Sequence, residues 1–223
     1  MSSDAAFAKI AKTTGFEVPE LFRRMVADGV TTYGTSPAAW KKTWKKRSLT
    51  NPPALLMAGI HVEWLKPKDI AAHEREEHWK PKLTLVPFAQ NGGGDLWCFY
   101  PGAKKADPTP IALCPMDSDE AELYAPDLEG FLFRQLLNAF AEIDPKDGEF
   151  TPAQTVQMAK AEIKTITPYV RKGWIDVLDE VASRRMKTDK NGYRSFIGFK
   201  EAKALARKTL GYKQLDATFV YAA

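Results

Sequence analysis

The chain has 223 residues, 44% of them hydrophobic and 27% charged, with a formal net charge of +4; this is ordinary globular usage and excludes wholesale disorder or a fibrous chain. Its longest apolar run, Ala54 to Ile60, falls far short of the ~18–20 residues a membrane helix needs. The stretch from Met1 to Ile10 lacks the apolar core of a secretory signal, so the expected location is cytoplasmic, and two cysteines, Cys98 and Cys114, are too few for a disulfide framework and are expected as buried thiols.

The first third reads as helices. Pro19 sits in the first turn of a segment that carries Leu21, Phe22, Met25 and Val26 on one face and stops at Gly29. Ser36-Pro37 opens a second helix with Trp40 and Trp44 at i and i+4, expected as core anchors, and with Lys41, Lys42, Lys45, Lys46 and Arg47 left in solvent; Asn51-Pro-Pro53 interrupts it. The period then changes. Leu83–Ala89, Asp95–Tyr100 and Thr109–Cys114 are apolar runs of strand length, the first two joined by Asn91-Gly-Gly-Gly94. A glycine turn that short joins only antiparallel neighbours, and Pro87 places its strand at an edge or a bulge. From Asp127, a capping residue, the stripe Leu128, Phe131, Leu132, Leu136, Leu137, Phe140 and Ile143 predicts a helix over 127–143. The cluster from Asp144 to Gly148 is the candidate boundary between a domain at 1–147 and a helical extension at 148–223 packed on it. That extension reads as three helices: 152–166, one starting at Thr167-Pro168, and Phe199–Leu210 with Gly211 as its stop.

Charge is unevenly spread. Residues 1–68 carry eleven Lys/Arg against five Asp/Glu, residues 69–150 seven against sixteen, and residues 151–223 fourteen against seven. An acidic middle between basic ends suits a basic partner, provided the blocks stay apart on the folded surface; otherwise they neutralise each other.

Most motifs resolve into plain structure. His73 and His78 are five residues apart, which turns one imidazole about 140° from the other around a helix, whereas a zinc-binding pair needs i and i+4. Asn91–Asp95 lacks the Gly-Lys-Ser/Thr ending and the following helix of a phosphate cradle. Asp117-Ser-Asp119-Glu120 starts like a calcium loop but has Ala121 at position five and no glycine at six. No Gly-x-Ser-x-Gly elbow occurs. The expectation is therefore no catalytic residue, no metal and no cofactor. Nucleic acid is disfavoured as a partner, because Trp40–Arg47 spaces its tryptophans for one buried face; Arg184, Arg185 and Lys187 are read with the same restraint. The segment from Asp117 to Glu129 stands out: Asp117, Asp119, Glu120, Glu122, Asp127 and Glu129 lie within it without one Lys or Arg, around Leu123-Tyr124. Such a segment suits the steering and anchoring of a basic protein, and equally an acidic loop leading into a helix N-terminus.

The run Leu85-Val-Pro-Phe-Ala-Gln-Asn-Gly-Gly-Gly-Asp-Leu-Trp-Cys-Phe-Tyr100, followed by the short strand Pro110–Cys114, an acidic loop and a closing helix with Phe131-Leu132, resembles the SUKH superfamily. Upstream, Phe16–Phe22 is similar to the family's early helix, and the resemblance covers roughly residues 7–143. It implies an α+β fold: a small, largely antiparallel mixed sheet flanked by helices, here with an additional C-terminal helical segment. It also implies a noncatalytic immunity protein of a bacterial polymorphic toxin system, one that neutralises a cognate toxin by binding it; the alternative is a regulatory protein-interaction scaffold on the same fold. The residues expected at the contact are Asp95, Trp97, Asp117, Asp119, Glu120, Glu122 and Tyr124.

Overall fold

The computed structural model describes residues 1–74, 78–102, 108–143 and 150–222. In chain order the helices are α1 (Ser3–Thr14), α2 (Glu20–Ala27), α3 (Pro37–Thr50), α4 (Pro67–Ala72), α5 (Leu128–Ala139), α6 (Pro152–Ile166), α7 (Lys172–Ser183) and α8 (Phe199–Leu210). The strands are β1 (Glu63–Trp64), β2 (Val86–Gln90), β3 (Leu96–Phe99), β4 (Ile111–Cys114), β5 (Glu120–Ala125), β6 (Lys187–Thr188), β7 (Arg194–Ser195) and β8 (Thr218–Val220). Two compact units emerge, each assembled from separate stretches: 1–26, 60–131 and 212–223 form one, and 27–59 with 132–211 the other. The boundary expected at Asp144–Gly148 lies outside the described residues.

The first unit is built on a six-stranded antiparallel sheet in the order β1-β2-β3-β4-β5-β8. The expected meander is its centre, β2 through β4. Pro87 is inside the sheet rather than on an edge, and the register between β2 and β3 shifts at Pro87/Ala89, so the missing N–H is absorbed by a bulge. Alternation along the strands then sorts two faces. On one, Phe88, Phe99, Trp97 and Tyr124 pack with Phe22 from α2, Trp64 from β1 and Phe131 from the first turn of α5, with ring centroids 4.5–6.2 Å apart. On the other, Cys98, Ala112, Cys114 and Ala121 lie under Trp79, Leu85 and Tyr221. Both thiols are buried and free, as expected; burial first, and then contact with Cys114, pushes the Cys98 thiol well above its ordinary pKa.

Three expectations need correction. The acidic stretch is a loop only as far as Asp119: Glu120–Ala125 is β5, held between β4 and β8, because its alternate Ala121, Leu123 and Ala125 are small or apolar enough to bury. The last part of the chain is not wholly helical, since Thr218–Val220 returns to complete the sheet on β5. In the second unit, α3 forms as expected from its Ser36 cap, but it buries only Ser48; Trp40 and Trp44 are half-buried, Trp40 against Tyr33 and under Arg47, Trp44 against Phe150. A helix with five cations over two turns presents too narrow an apolar stripe to sink both indoles.

The second unit packs α3 against α6. Thr151 and Gln154 cap α6 reciprocally, Gln157 Nε2 donates to the Leu49 carbonyl, and Thr165 Oγ1 donates to the Pro52 carbonyl. Its central constraint is Glu162, which is completely buried and whose carboxylate accepts from the backbone N–H groups of Leu56 and Met57 at 3.2 and 3.0 Å. These bonds hold a turn in which Leu55 has φ of 64°, a left-handed conformation that a branched residue adopts only under constraint. Burial outweighs the N–H donors and raises the carboxyl pKa to about 8. Between the unfolded value of 4.5 and about 8 the folded state thus binds the extra proton, and stability falls as pH rises through that window. Glu162→Gln should flatten this dependence between pH 5 and 8 while costing about 1–3 kcal/mol at pH 5, where one N–H loses its acceptor; urea unfolding at several pH values checks both.

Candidate functional site

Two tight turns at one end of the sheet of the first unit are tied together by a single carboxylate. In the β2–β3 turn, Asn91 Oδ1 accepts from the backbone N–H groups of Gly93 and Asp95, both at 2.9 Å, and Asn91 Nδ2 donates to Asp95 Oδ2 at 2.8 Å. The other carboxylate oxygen, Asp95 Oδ1, accepts from the Met116 N–H in the β4–β5 turn at 3.0 Å. Gly94 has φ of 93°, and a Cβ there would lie 3.3 Å from Met116 Sδ, so glycine satisfies both the backbone and the close approach of the thioether. Gly92 donates to the Ile60 carbonyl at 2.6 Å, and a Cβ on it would meet Ile60 Cβ at 3.2 Å.

The glycine turn is therefore flanked by two large apolar side chains in solvent: Ile60 at 70% and Met116 at 69% exposure. Asp117, Asp119 and Glu120 follow Met116 and are exposed, with Ser118 closing the turn on Glu120. Glu120 pairs across the sheet with Val220, which is also exposed, and Glu122 is half-buried opposite Thr218. The sheet end thus carries exposed apolar side chains and, directly after Met116, three exposed carboxylates.

Of the seven expected contact residues, Asp117, Asp119 and Glu120 share this exposed turn, and Asp95 anchors it. Trp97 and Tyr124 lie beneath the surface: they are 4% and 6% exposed, the Trp97 indole donates to the His61 carbonyl at 2.8 Å, and both rings pack on Phe131. Neither ring is available to a partner; β3 and β5 alternate, and both side chains fall on the covered face. Ile60, Met116 and Val220 were missed by sequence reasoning. A lone apolar residue carries no exposure signal, although Met116 between Pro115 and Asp117 was legible as a turn residue.

Beside Met116 a cavity of about 300 Å³ opens against the sheet, lined among others by His73, His78, Trp79, Cys114 and Tyr221. The Tyr221 hydroxyl donates to the Pro115 carbonyl, and burial, the two thiols and then Asp95 and Asp119 push its pKa up to about 12. Among the described residues no group of three or more His, Cys, Asp or Glu side chains is placed to hold a metal ion, and no helix is long and apolar enough to cross a membrane.

A model of the SMI1/KNR4 family (SUKH-1) matches residues 1–134. The chain belongs to the SMI1/KNR4 (SUKH-1) family. No curated protein and no solved structure matches it. The matched segment holds β1 to β5, both turns and Ile60, and it ends at Arg134 within α5, so the family pattern includes the whole acidic turn but not β8.

Asp95→Ala should remove the acceptor of the Met116 N–H and half of the Asn91 link, lowering stability by about 1–3 kcal/mol. Denaturant midpoints measure the loss, and broadened amide signals at 91–95 and 115–119, with the rest of the sheet unchanged, would locate it.

Proposed function

We propose that this SMI1/KNR4 family member is a noncatalytic immunity protein that neutralises a cognate toxin by covering it. The observation that carries the reading is the pinned turn surface, where Ile60 and Met116 are held exposed next to Asp117, Asp119 and Glu120. A toxin that cuts or grips nucleic acid presents a basic cleft, and carboxylates on a turn whose backbone is already tied by Asp95 meet such a cleft with little loop ordering left to cost affinity. Family membership supports a protein partner, and the acidic block at residues 69–150 supports a basic one.

The two kinds of residue should separate kinetically. Charged rims set encounter rates, whereas buried apolar anchors set lifetimes. With the product of the adjacent gene as partner, the triple variant Asp117→Lys, Asp119→Lys and Glu120→Lys should slow association about tenfold or more at low salt, and should flatten the salt dependence. Ile60→Ser with Met116→Ser should instead speed dissociation. Surface plasmon resonance at two salt concentrations reads both. Unchanged association of the triple variant with a partner that still binds would move the contact to another face.

A further inference from the structure

Two asparagines precede a glycine: Asn91 in the β2–β3 turn and Asn191 in the β6–β7 turn. This pair of residues is open to spontaneous deamidation. The glycine backbone nitrogen attacks the asparagine Cγ, a C–N bond forms as the C–NH2 bond breaks, and ammonia leaves a five-membered imide. Water then opens the imide to aspartate or isoaspartate. Glycine permits the attack because no Cβ crowds its nitrogen or restricts the backbone on the way. The asparagine amide must turn its carbon toward that nitrogen, and the glycine N–H must give up its proton.

The fold treats the two positions in opposite ways. Both polar atoms of the Asn91 side chain are held, Oδ1 by the N–H groups of Gly93 and Asp95 and Nδ2 by Asp95 Oδ2. The Gly92 N–H donates to the Ile60 carbonyl at 2.6 Å, and the Ile60 side chain crowds the glycine. This turn joins two strands in the interior of the six-stranded sheet. Asn191 is exposed, and its side-chain amide has no hydrogen-bond partner among the described residues; its backbone N–H donates to Asp189 Oδ1. The Gly192 N–H donates to the Asp189 carbonyl at 3.1 Å, the longer of the two glycine bonds. β7 is also bridged to Ile143, but β6 is exposed at both residues and has β7 as its sole strand neighbour. So short a ribbon buries little to keep it closed and opens readily.

We propose that Asn191 is the deamidation site of the folded protein, and that the Asp95 link shields Asn91 from the same reaction. At Asn191 the product adds one negative charge to an exposed hairpin. At Asn91 it would replace the Nδ2 donor with a carboxylate oxygen facing Asp95 Oδ2, where a 2.8 Å bond now holds the turn, and repulsion would loosen it. The carboxylate that ties the two turns together thus also preserves the asparagine it is tied to. Neither half depends on what the turn surface binds.

Peptide mapping by mass spectrometry, during incubation in mildly alkaline buffer, reads both positions in one sample. In the folded protein the Asn191 peptide should deamidate about tenfold or more faster than the Asn91 peptide. In urea, above the unfolding transition, the two rates should converge. Asp95→Asn keeps the side-chain volume but cannot accept from both Asn91 and Met116; it should speed the Asn91 reaction about tenfold and leave Asn191 unchanged. Asp95→Ala should do the same, and an Asn91 rate that stays below the urea rate marks local release rather than unfolding. Equal rates in the folded protein would overturn the assignment. So would a difference that persists in urea, since it would belong to the neighbouring residues and not to the fold. An Asn91 peptide equally slow in the wild type and both variants would remove Asp95 from the protection.

Discussion

One carboxylate organises the end of the sheet that faces outward. Asp95 spends one oxygen within its own turn, on Asn91, and the other on the Met116 N–H of the next turn. Turns are ordinarily the most mobile parts of a sheet, since their backbone groups face water rather than a ladder. Here the bond between turns converts two loops into one rigid edge. Met116 itself stays 69% exposed, its thioether passing close over Gly94. The surface carboxylates of Asp117, Asp119 and Glu120 inherit that rigidity as residues of the same turn and the start of β5.

Rigidity of this kind requires a firm support, and the aromatic face of the sheet supplies it. Phe88, Phe99 and Phe131 are completely or almost completely buried, and Phe88 and Phe99 approach to 4.5 Å. Burying rings of this size contributes roughly 1.5–3 kcal/mol each, far more than any single turn hydrogen bond. Trp97 connects the two levels. Its ring belongs to the cluster on Phe131, while its N–H holds the His61 carbonyl one residue from Ile60. The residue expected as a contact anchor is thus the one that fixes the segment carrying a real exposed apolar side chain.

The fold was legible where the pattern is local. The meander, its glycine turn, the Asp127 cap and the stop at Gly211 all follow from residue types acting on their own neighbourhood, whereas for Pro87 the sequence leaves an edge or a bulge and only the register decides for the bulge. What sequence reasoning missed depends on pairing at long range. β8 brings residues 218–220 onto 120–122, and three residues have no period to detect. The carboxylates of the acidic segment favour solvent and with it a loop, yet Ala121, Leu123 and Ala125 alternate with them as in any half-buried strand. By their chemistry alone Trp97 and Tyr124 suit a contact surface. The parity of β3 and β5 decides otherwise, and it cannot be fixed before the register is known.

Charge segregation along the chain acquires a physical meaning in this arrangement. In the sheet unit, Asp117, Asp119 and Glu120 stand together on one turn, while in the other unit Lys200, Lys203, Arg207 and Lys208 line a shallow groove on α8. The acidic and basic blocks of the sequence thus each contribute a cluster of like charge to a different element. A cluster of like charges costs stability through self-repulsion, and here it sits on a turn tied down by the Asp95 carboxylate. Arg184, by contrast, is paired with Glu180 one turn back and with Glu201 on α8.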